Sequence, residues 1–329
     1  MTSLKVLFIG GTGIISSACG ARAVATGIDL TILNRGTTTH RAVPEGAEVI
    51  QGDIRDPESA RSALGDREFD VVVDFVAFTP DQVQGDIDLF SGRTGQYVFI
   101  SSASAYQTPP GRLPIVESTP LRNPHWQYSR NKIACEDLLM SAYRERGFPA
   151  TVVRPSHTYD RTAIPTMGHW TDIHRMRQGQ GVVVHGDGTS LWAITHHTDF
   201  AKAFVGLLGH PKAVGDSFHI TTDEITTWNE IYDALAAAAG VEANLVHVAS
   251  DTIVAAEPNL EGALLGDKAH SVIFDNSKVK ALVPDYVATI PFAAGAREIV
   301  DWYDAHPERQ TVNDDMNAFF DKLVAAAAG

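Results

Sequence analysis

The chain has 329 residues, with 26 Lys and Arg against 40 Asp and Glu, a formal net charge of −14. Its 44% hydrophobic and 20% charged residues give the balance of a soluble globular protein. That composition argues against a nucleic-acid binder, which needs clustered cations. Two cysteines, Cys19 and Cys135, exclude a disulfide framework and suggest a reducing, cytoplasmic setting. No apolar run reaches the ~18 residues of a membrane span. The N-terminus carries no signal-peptide pattern, because the run Val6–Ile9 is short and leads into glycines. A chain of this length exceeds the usual single-core size, so two lobes are expected.

Lys5–Ile9 reads as a buried strand that enters the turn Gly10-Gly11-Thr12-Gly13. An Ala-rich helix over Ser16–Thr26 follows and stops at Gly27. Short strands are expected at Leu30–Leu33, Val49–Ile50 and Val71–Val76, with a helix near Pro57–Ala63. A fifth strand falls at Tyr97–Ser101, a long helix at Gln127–Arg146 and a sixth strand at Thr151–Val153. Alternating strands and helices, the strands apolar on both faces, imply a parallel sheet covered on two sides. Beyond Pro155 the loops lengthen and aromatics and histidines gather. A strand at Val182–His185, helices at Phe200–Leu208, Thr227–Ala239, Ala293–Ala305 and Asn313–Ala328, and a strand near Ser217–Thr221 returning to the first sheet are expected.

The fold class is therefore α/β. A doubly wound sheet of the Rossmann type is built from residues 1–155 plus the returning strand near 215–222. A smaller, mostly helical substrate lobe takes 156–329. The turn between first strand and first helix carries the strongest chemical signal. Its glycines let the backbone approach a pyrophosphate, and the helix N-terminus offers free N–H groups. Gly10, Gly13, Ile14 and Ile15 are the candidate contacts there. The second strand ends in Asn34-Arg35, ~20 residues past the glycines, where an acidic residue would select NAD and an arginine favours NADP. NADP is therefore mildly favoured over NAD. Asp53, with Ile54, is placed either to bind the adenine amine or to cap a helix.

Tyr128 and Lys132 share one helix face at i and i+4. An ammonium beside a phenol favours the phenolate, so the tyrosine pKa is expected to fall toward the range useful for proton transfer. The pair follows a strand ending in Ser101-Ser102-Ala103-Ser104, at the edge where ligands bind in open α/β sheets.

The glycine-rich turn, Asp53, the serine-rich fifth strand and Tyr-x-x-x-Lys, in this order, resemble the extended short-chain dehydrogenase/reductase superfamily. The likeness is greatest to its NAD-dependent epimerase/dehydratase family. Gly186-Asp187-Gly188-Thr189 with His196-His197-Thr198-Asp199, and then Phe274–Lys278 and Val300–Tyr303, extend the resemblance along nearly the whole chain. It implies an oxidoreductase acting on a hydroxyl or keto carbon of a sugar or sugar-nucleotide-like substrate. Ser102 would hydrogen-bond the reacting oxygen, with Ser104 as the fallback. Tyr128 would be the general acid/base and Lys132 its electrostatic partner. Phe75, Ala77, Pro155 and His157 would join the cofactor site. A homodimer built through the Tyr128 helix and the one before it is also implied.

Two positions depart from the family's pattern. Ser156-His157 stands where an asparagine usually helps hold the substrate diphosphate, and Trp192 replaces an arginine. These changes disfavour a nucleotide diphosphate unless Arg175 or Arg177 substitutes. Ser104, His157, Arg175 and Trp192 are the candidate substrate contacts. A mildly basic stretch supports an anionic ligand, since residues 121–180 hold nine Lys and Arg against five Asp and Glu. No metal site is expected, as His196-His197 and the other histidines lack ligand spacing. An NADPH-dependent carbonyl reductase of a non-nucleotide molecule and a non-catalytic dinucleotide- or RNA-binding protein are the rival readings.

Overall fold

The computed structural model describes residues 3–37 and 41–327. The expected Ala328 at the end of the last helix lies outside them. Strand β1 (Lys5–Ile9) buries Val6 and Phe8 on one face of the sheet and Leu7 and Ile9 on the other. That alternation inside a continuous apolar run lets one strand feed two cores. Helix α1 (Ile14–Ala25) leads to β2 (Asp29–Asn34) and β3 (Glu48–Gln51). Helix α2 (Pro57–Leu64) crosses over to β4 (Phe69–Asp74). Helix α3 (Pro80–Phe90), β5 (Thr94–Ile100), α4 (Gln127–Arg146) and β6 (Ala150–Pro155) complete the first half.

All pairings in the main sheet are parallel, and with β11 at Ser217–Ile220 its seven strands run β11–β6–β5–β4–β1–β2–β3. The order reverses between β1 and β4. A crevice therefore opens at their carboxyl ends, where such folds bind ligands. The seventh strand, β11 (Ser217–Ile220), returns from the second half of the chain as expected.

Between β6 and β11 lie β7 (His157–Tyr159), α5 (Trp170–Arg177), β8 (Gly181–His185), β9 (Leu191–Trp192), β10 (Ile194–His196) and α6 (His197–Leu207). After β11 come β12 (Thr226–Thr227), α7 (Trp228–Ala238), β13 (Asn244–Val248), α8 (Ser250–Ala256) and the short α9 (Glu261–Ala263). A π-helical turn, Leu264–Lys268, precedes α10 (Ser277–Leu282), α11 (Phe292–Ala305) and α12 (Asp314–Ala327).

Two cores sandwich the sheet. One packs α1 and α6 through Ala18, Cys19, Ala23, Phe204 and Leu207. The other packs α3 and α4 through Val83, Ile87, Cys135 and Leu139. Both cysteines are buried and free. A third core, holding Trp170, Trp192, Trp228, Tyr232 and Phe292, belongs to the second half. That region contains small two-stranded sheets (β7–β10, β8–β13, β9–β12) besides its helices, so it is less purely helical than expected. Among the described residues no helix is long and apolar enough to cross a membrane.

Candidate active site

Gly10 sits at φ +82°, and a Cβ there would lie 2.4 Å from Val76 Cγ1. Only glycine turns the chain at this point. Gly13 begins α1 with ordinary backbone geometry, φ −81°, and its N–H donates to Ser16 Oγ at 2.8 Å. The next N–H groups, on Ile14 and Ile15, lie in the first helical turn and have no intrahelical acceptor. They face a cavity of about 680 Å³ at the sheet's switch point. Gly10, Gly13, Asn34, Arg35, Asp53, Ile54 and Phe75 all line it.

At the end of β2, Asn34 Oδ1 accepts from Gly36 N at 3.0 Å, and the Arg35 side chain is exposed. Asp53 Oδ1 accepts from Arg55 N at 2.9 Å. It does not cap α2. That role falls to Asp56, which accepts from Glu58 N and Ser59 N. Two further side chains that the sequence reading missed also border the cavity. Arg55 is held by buried Asp74 at 2.8 Å and by Asp86 at 3.4 Å. Arg41 reaches across to Asp160 at 2.8 Å and Thr162 at 2.6 Å.

A second cavity, about 260 Å³, lies beyond the end of β5. Ser102, Ser104, Tyr128, His157 and Trp192, five residues drawn from distant parts of the sequence, border it. Asn123 assembles this region. Its Oδ1 accepts from His125 N and Trp126 N, and its Nδ2 donates to Ser104 O at 2.9 Å and Gly266 O at 2.6 Å. The start of α4 is thereby fastened to the serine loop and to the π-helical turn.

The Ser102 and Ser104 hydroxyls are 2.8 Å apart, and Ser129 Oγ donates to Ser104 Oγ at 2.7 Å. The Ser102 hydroxyl also faces the Tyr128 phenol and pulls its pKa down. Burial nevertheless dominates and holds Tyr128 above its ordinary value, with the Asp267 carboxylate adding to the rise. The expected lowering by Lys132 is therefore corrected. The Lys132 ammonium lies 5.7 Å from the phenol ring centre and donates to Ala77 O and Ile100 O, each at 2.7 Å. Its own pKa is brought down to about 8 by burial. Ala77 thus contributes through its carbonyl, between the tyrosine helix and the β4 edge.

Pro155 and His157, expected beside the cofactor, border the smaller cavity instead. Trp192 Nε1 donates to His157 Nδ1 at 3.3 Å, with the rings edge to face. Burial, reinforced by Lys268 and His169, lowers the His157 pKa to about 3, so the imidazole is neutral near pH 7.

Arg175 does not reach either cavity. It is 1% exposed and donates to Gly181 O at 2.8 Å, Asn317 Oδ1 at 2.6 Å and Asp321 Oδ1 at 2.8 Å. Arg177 forms a two-point pair with Asp304. Arg154 is buried against Glu136 and Tyr106. The basic stretch of residues 121–180 therefore contributes none of these three guanidiniums to a ligand. Asp267 and Lys268, which no spacing in the sequence flags, take positions in the small cavity.

The family model for the NAD dependent epimerase/dehydratase family matches residues 6–221. The chain is 27% identical over 256 residues to the chloroplast stem-loop binding protein of 41 kDa b of Arabidopsis thaliana. That alignment covers 74% of this chain and 65% of the relative. It is 30% identical over 204 residues to UDP-glucose 4-epimerase of Lactobacillus helveticus, covering 56% of this chain and 62% of the relative. The chain thus spans less than two thirds of the length of both relatives. The solved structure of dTDP-glucose 4,6-dehydratase from Bacillus anthracis in complex with NAD shares the fold, with a TM-score of 0.73 and 19% identity over 93% of this chain and 98% of that one. Together, the glycine turn at the switch point and a family match over residues 6–221 assign the chain: it belongs to the NAD dependent epimerase/dehydratase family.

Proposed function

We propose that this protein transfers hydride between a nicotinamide dinucleotide and a hydroxyl or keto carbon of a sugar or sugar-nucleotide-like substrate. The observation that carries this reading is the placement of the Ser102 and Tyr128 hydroxyls together on the small cavity, with Phe78 beside Tyr128 and bordering the large one. The large cavity fits a dinucleotide. Gly13 leaves its Cβ space open except toward Ser16 Oγ, and the α1 N-terminus points its first N–H groups there. Gly13, Ile14 and Ile15 would hold the pyrophosphate, Asn34 and Arg35 the adenosine ribose, and Asp53 with Ile54 the adenine. The bound nicotinamide supplies the hydride acceptor and donor.

Tyr128 moves the proton at the substrate oxygen. Its raised pKa keeps the phenol protonated near pH 7, which suits proton donation in the carbonyl-reducing direction. Ser102 donates to the same oxygen and is held at its post by Ser104 and Ser129. Lys132, fixed by two carbonyls, supports a positive potential at the floor of the site. The net charge of −14 supports a small-molecule substrate over RNA.

The test is nicotinamide absorbance during turnover, with NAD or NADP and a panel of sugars and sugar nucleotides. A substrate-dependent change is expected. In an epimerase or dehydratase cycle the hydride returns to the substrate and net absorbance stays flat, so product is followed as well; neither converted substrate nor an absorbance change, with any substrate in either oxidation state of the cofactor, would contradict the reading. Arg35 at the end of β2 supports NADP over NAD, and parallel titrations check it; equal or tighter NAD binding refutes the preference. The same reading carries a cytoplasmic homodimer through α3 and α4, to be checked by light scattering.

A further inference from the structure

The relatives that name sugar nucleotides act on a ligand with a diphosphate, and a diphosphate calls for charge-assisted donors. Lys268 is the one lysine or arginine among the residues that border the small cavity. Its ammonium is already 3.6 Å from the Asp267 carboxylate. The arginines that could have substituted are committed elsewhere: Arg175 to Asn317 and Asp321, Arg177 to Asp304, and Arg154 to Glu136. The wall that departs from the family pattern is filled by the Trp192–His157 pair, backed by Trp228 at 5.3 Å from Trp192. His157, neutral near pH 7, supplies no cation there. At about 260 Å³ the space also falls below the ~300–1,000 Å³ usual for drug-sized ligands.

The pair Asp267 and Lys268 is built to present itself. The Lys268 carbonyl accepts from His185 Nε2 and Ser190 Oγ, both at 3.1 Å, and Gly266 O accepts from Asn123. Gly266, inside the turn, lies so close to α4 that a Cβ would approach Trp126 Cβ to 3.1 Å. The turn is therefore docked on the start of α4. Among the described residues, neither the Asp267 carboxylate nor the Lys268 ammonium makes a side-chain hydrogen bond other than their mutual contact, although their side chains are only 20% and 15% exposed. One acceptor and one donor, side by side, with the ammonium 6.0 Å from the Trp192 ring centre, match two neighbouring hydroxyls. Trp126, Trp192 and Phe274 supply apolar walls for a ring's C–H faces.

We propose that the small cavity takes a compact polyhydroxylated substrate of single-sugar size that carries no nucleoside diphosphate, and that Asp267 and Lys268 are the residues that read it. This inference rests on the hydride-transfer reading for its reaction and goes beyond it in substrate class. Protein loaded with NAD is titrated with UDP, UDP-glucose, and free D-glucose, D-galactose and D-glucuronate. Tryptophan fluorescence reports binding, because Trp126 and Trp192 border the cavity. UDP at millimolar concentration is expected to leave the signal unchanged, whereas saturable UDP binding overturns the proposal. At least one monosaccharide is expected to bind, with affinity reduced ~10-fold or more in Lys268→Met and Asp267→Asn and partly restored in Lys268→Arg. Failure of every monosaccharide, or unchanged affinity in both variants with unchanged melting temperature, overturns it. Nicotinamide absorbance separates the two claims. A change driven by UDP-glucose overturns this inference and leaves hydride transfer standing. Monosaccharide binding with neither an absorbance change nor a converted sugar in product analysis overturns hydride transfer and leaves the cavity assignment standing.

Discussion

The two cavities are made in different ways. The large one has a backbone cradle at one end, with side chains such as Asn34, Arg41 and Asp53 around the rest. Gly10, Gly13 and the first turn of α1 shape that cradle, and every one of those residues lies within a dozen positions of β1. The small one is a product of side chains brought from six places: the loop after β5, the start of α4, the end of β6 and the segment after it, β9, the π-helical turn and the stretch that follows that turn. A backbone cradle depends on local chemistry and tolerates change around it. A side-chain cavity depends on how the second half docks, so one substitution can change what it accepts. This contrast fits a family in which the dinucleotide stays constant while substrates vary.

The largest expected effect would break the backbone side of the comparison. Gly13→Ala keeps an allowed backbone, since φ is −81°, and among the described residues its Cβ meets only Ser16 Oγ, at 3.2 Å. Its side chain would enter the space proposed for the pyrophosphate. Dinucleotide affinity should fall ~100-fold with little change in melting temperature. Calorimetric titration checks it, and near-native affinity would remove the cradle from its assigned role.

A smaller effect sharpens the side-chain half. Arg175→Met removes a buried guanidinium that ties α5 to α12 and β8. A loss of about 1–3 kcal/mol in unfolding free energy is expected, with KM for substrate unchanged. Denaturant titration and steady-state kinetics report the two separately. A raised KM with unaltered stability would restore Arg175 to the substrate site.

The smallest effect is a pH dependence. Burial brings the Lys132 pKa from its ordinary 10.5 to about 8, so between these values the unfolded chain holds more protons than the folded one. Stability contributed at this position therefore rises with pH across that window, and below about 8 the buried charge weighs against the fold. Relative to Lys132→Met, wild type should gain about 1–3 kcal/mol from pH 8 to 10.5. A flat difference across the window would mean that the lysine is not desolvated as the structure has it.

Legibility followed the same division. The parallel sheet, its returning strand and the span of α4 were readable because each rests on local pattern: apolar runs, glycine stops and a C-terminal Gly147 at φ +67°. Helix α3 escaped notice because its sequence, PDQVQGDIDLF, is polar and carries an internal glycine. Its apolar residues Val83, Ile87 and Phe90 do stand at helical spacing, but polar neighbours masked that stripe. Strand β13 is only five residues long and pairs with β8 63 residues earlier in register, so its partner was not visible locally. The Tyr128–Lys132 spacing placed both residues on one face, yet it could not show that burial outweighs the ammonium's influence on the phenol. Asp267 and Lys268 depend wholly on tertiary docking, and the run of cations around Arg154 and Arg175 misled for the same reason. Charge counted along a sequence does not say which way a guanidinium points.

The central claim is that Tyr128 moves the proton at the reacting oxygen. Tyr128→Phe removes one hydroxyl and leaves the ring between Phe78 and Trp126 in place. Single-turnover measurement of nicotinamide absorbance in wild type and variant tests this directly. A fall in the rate of at least ~100-fold, with dinucleotide affinity unchanged, is the predicted result. A variant that turns over at the wild-type rate would contradict the account.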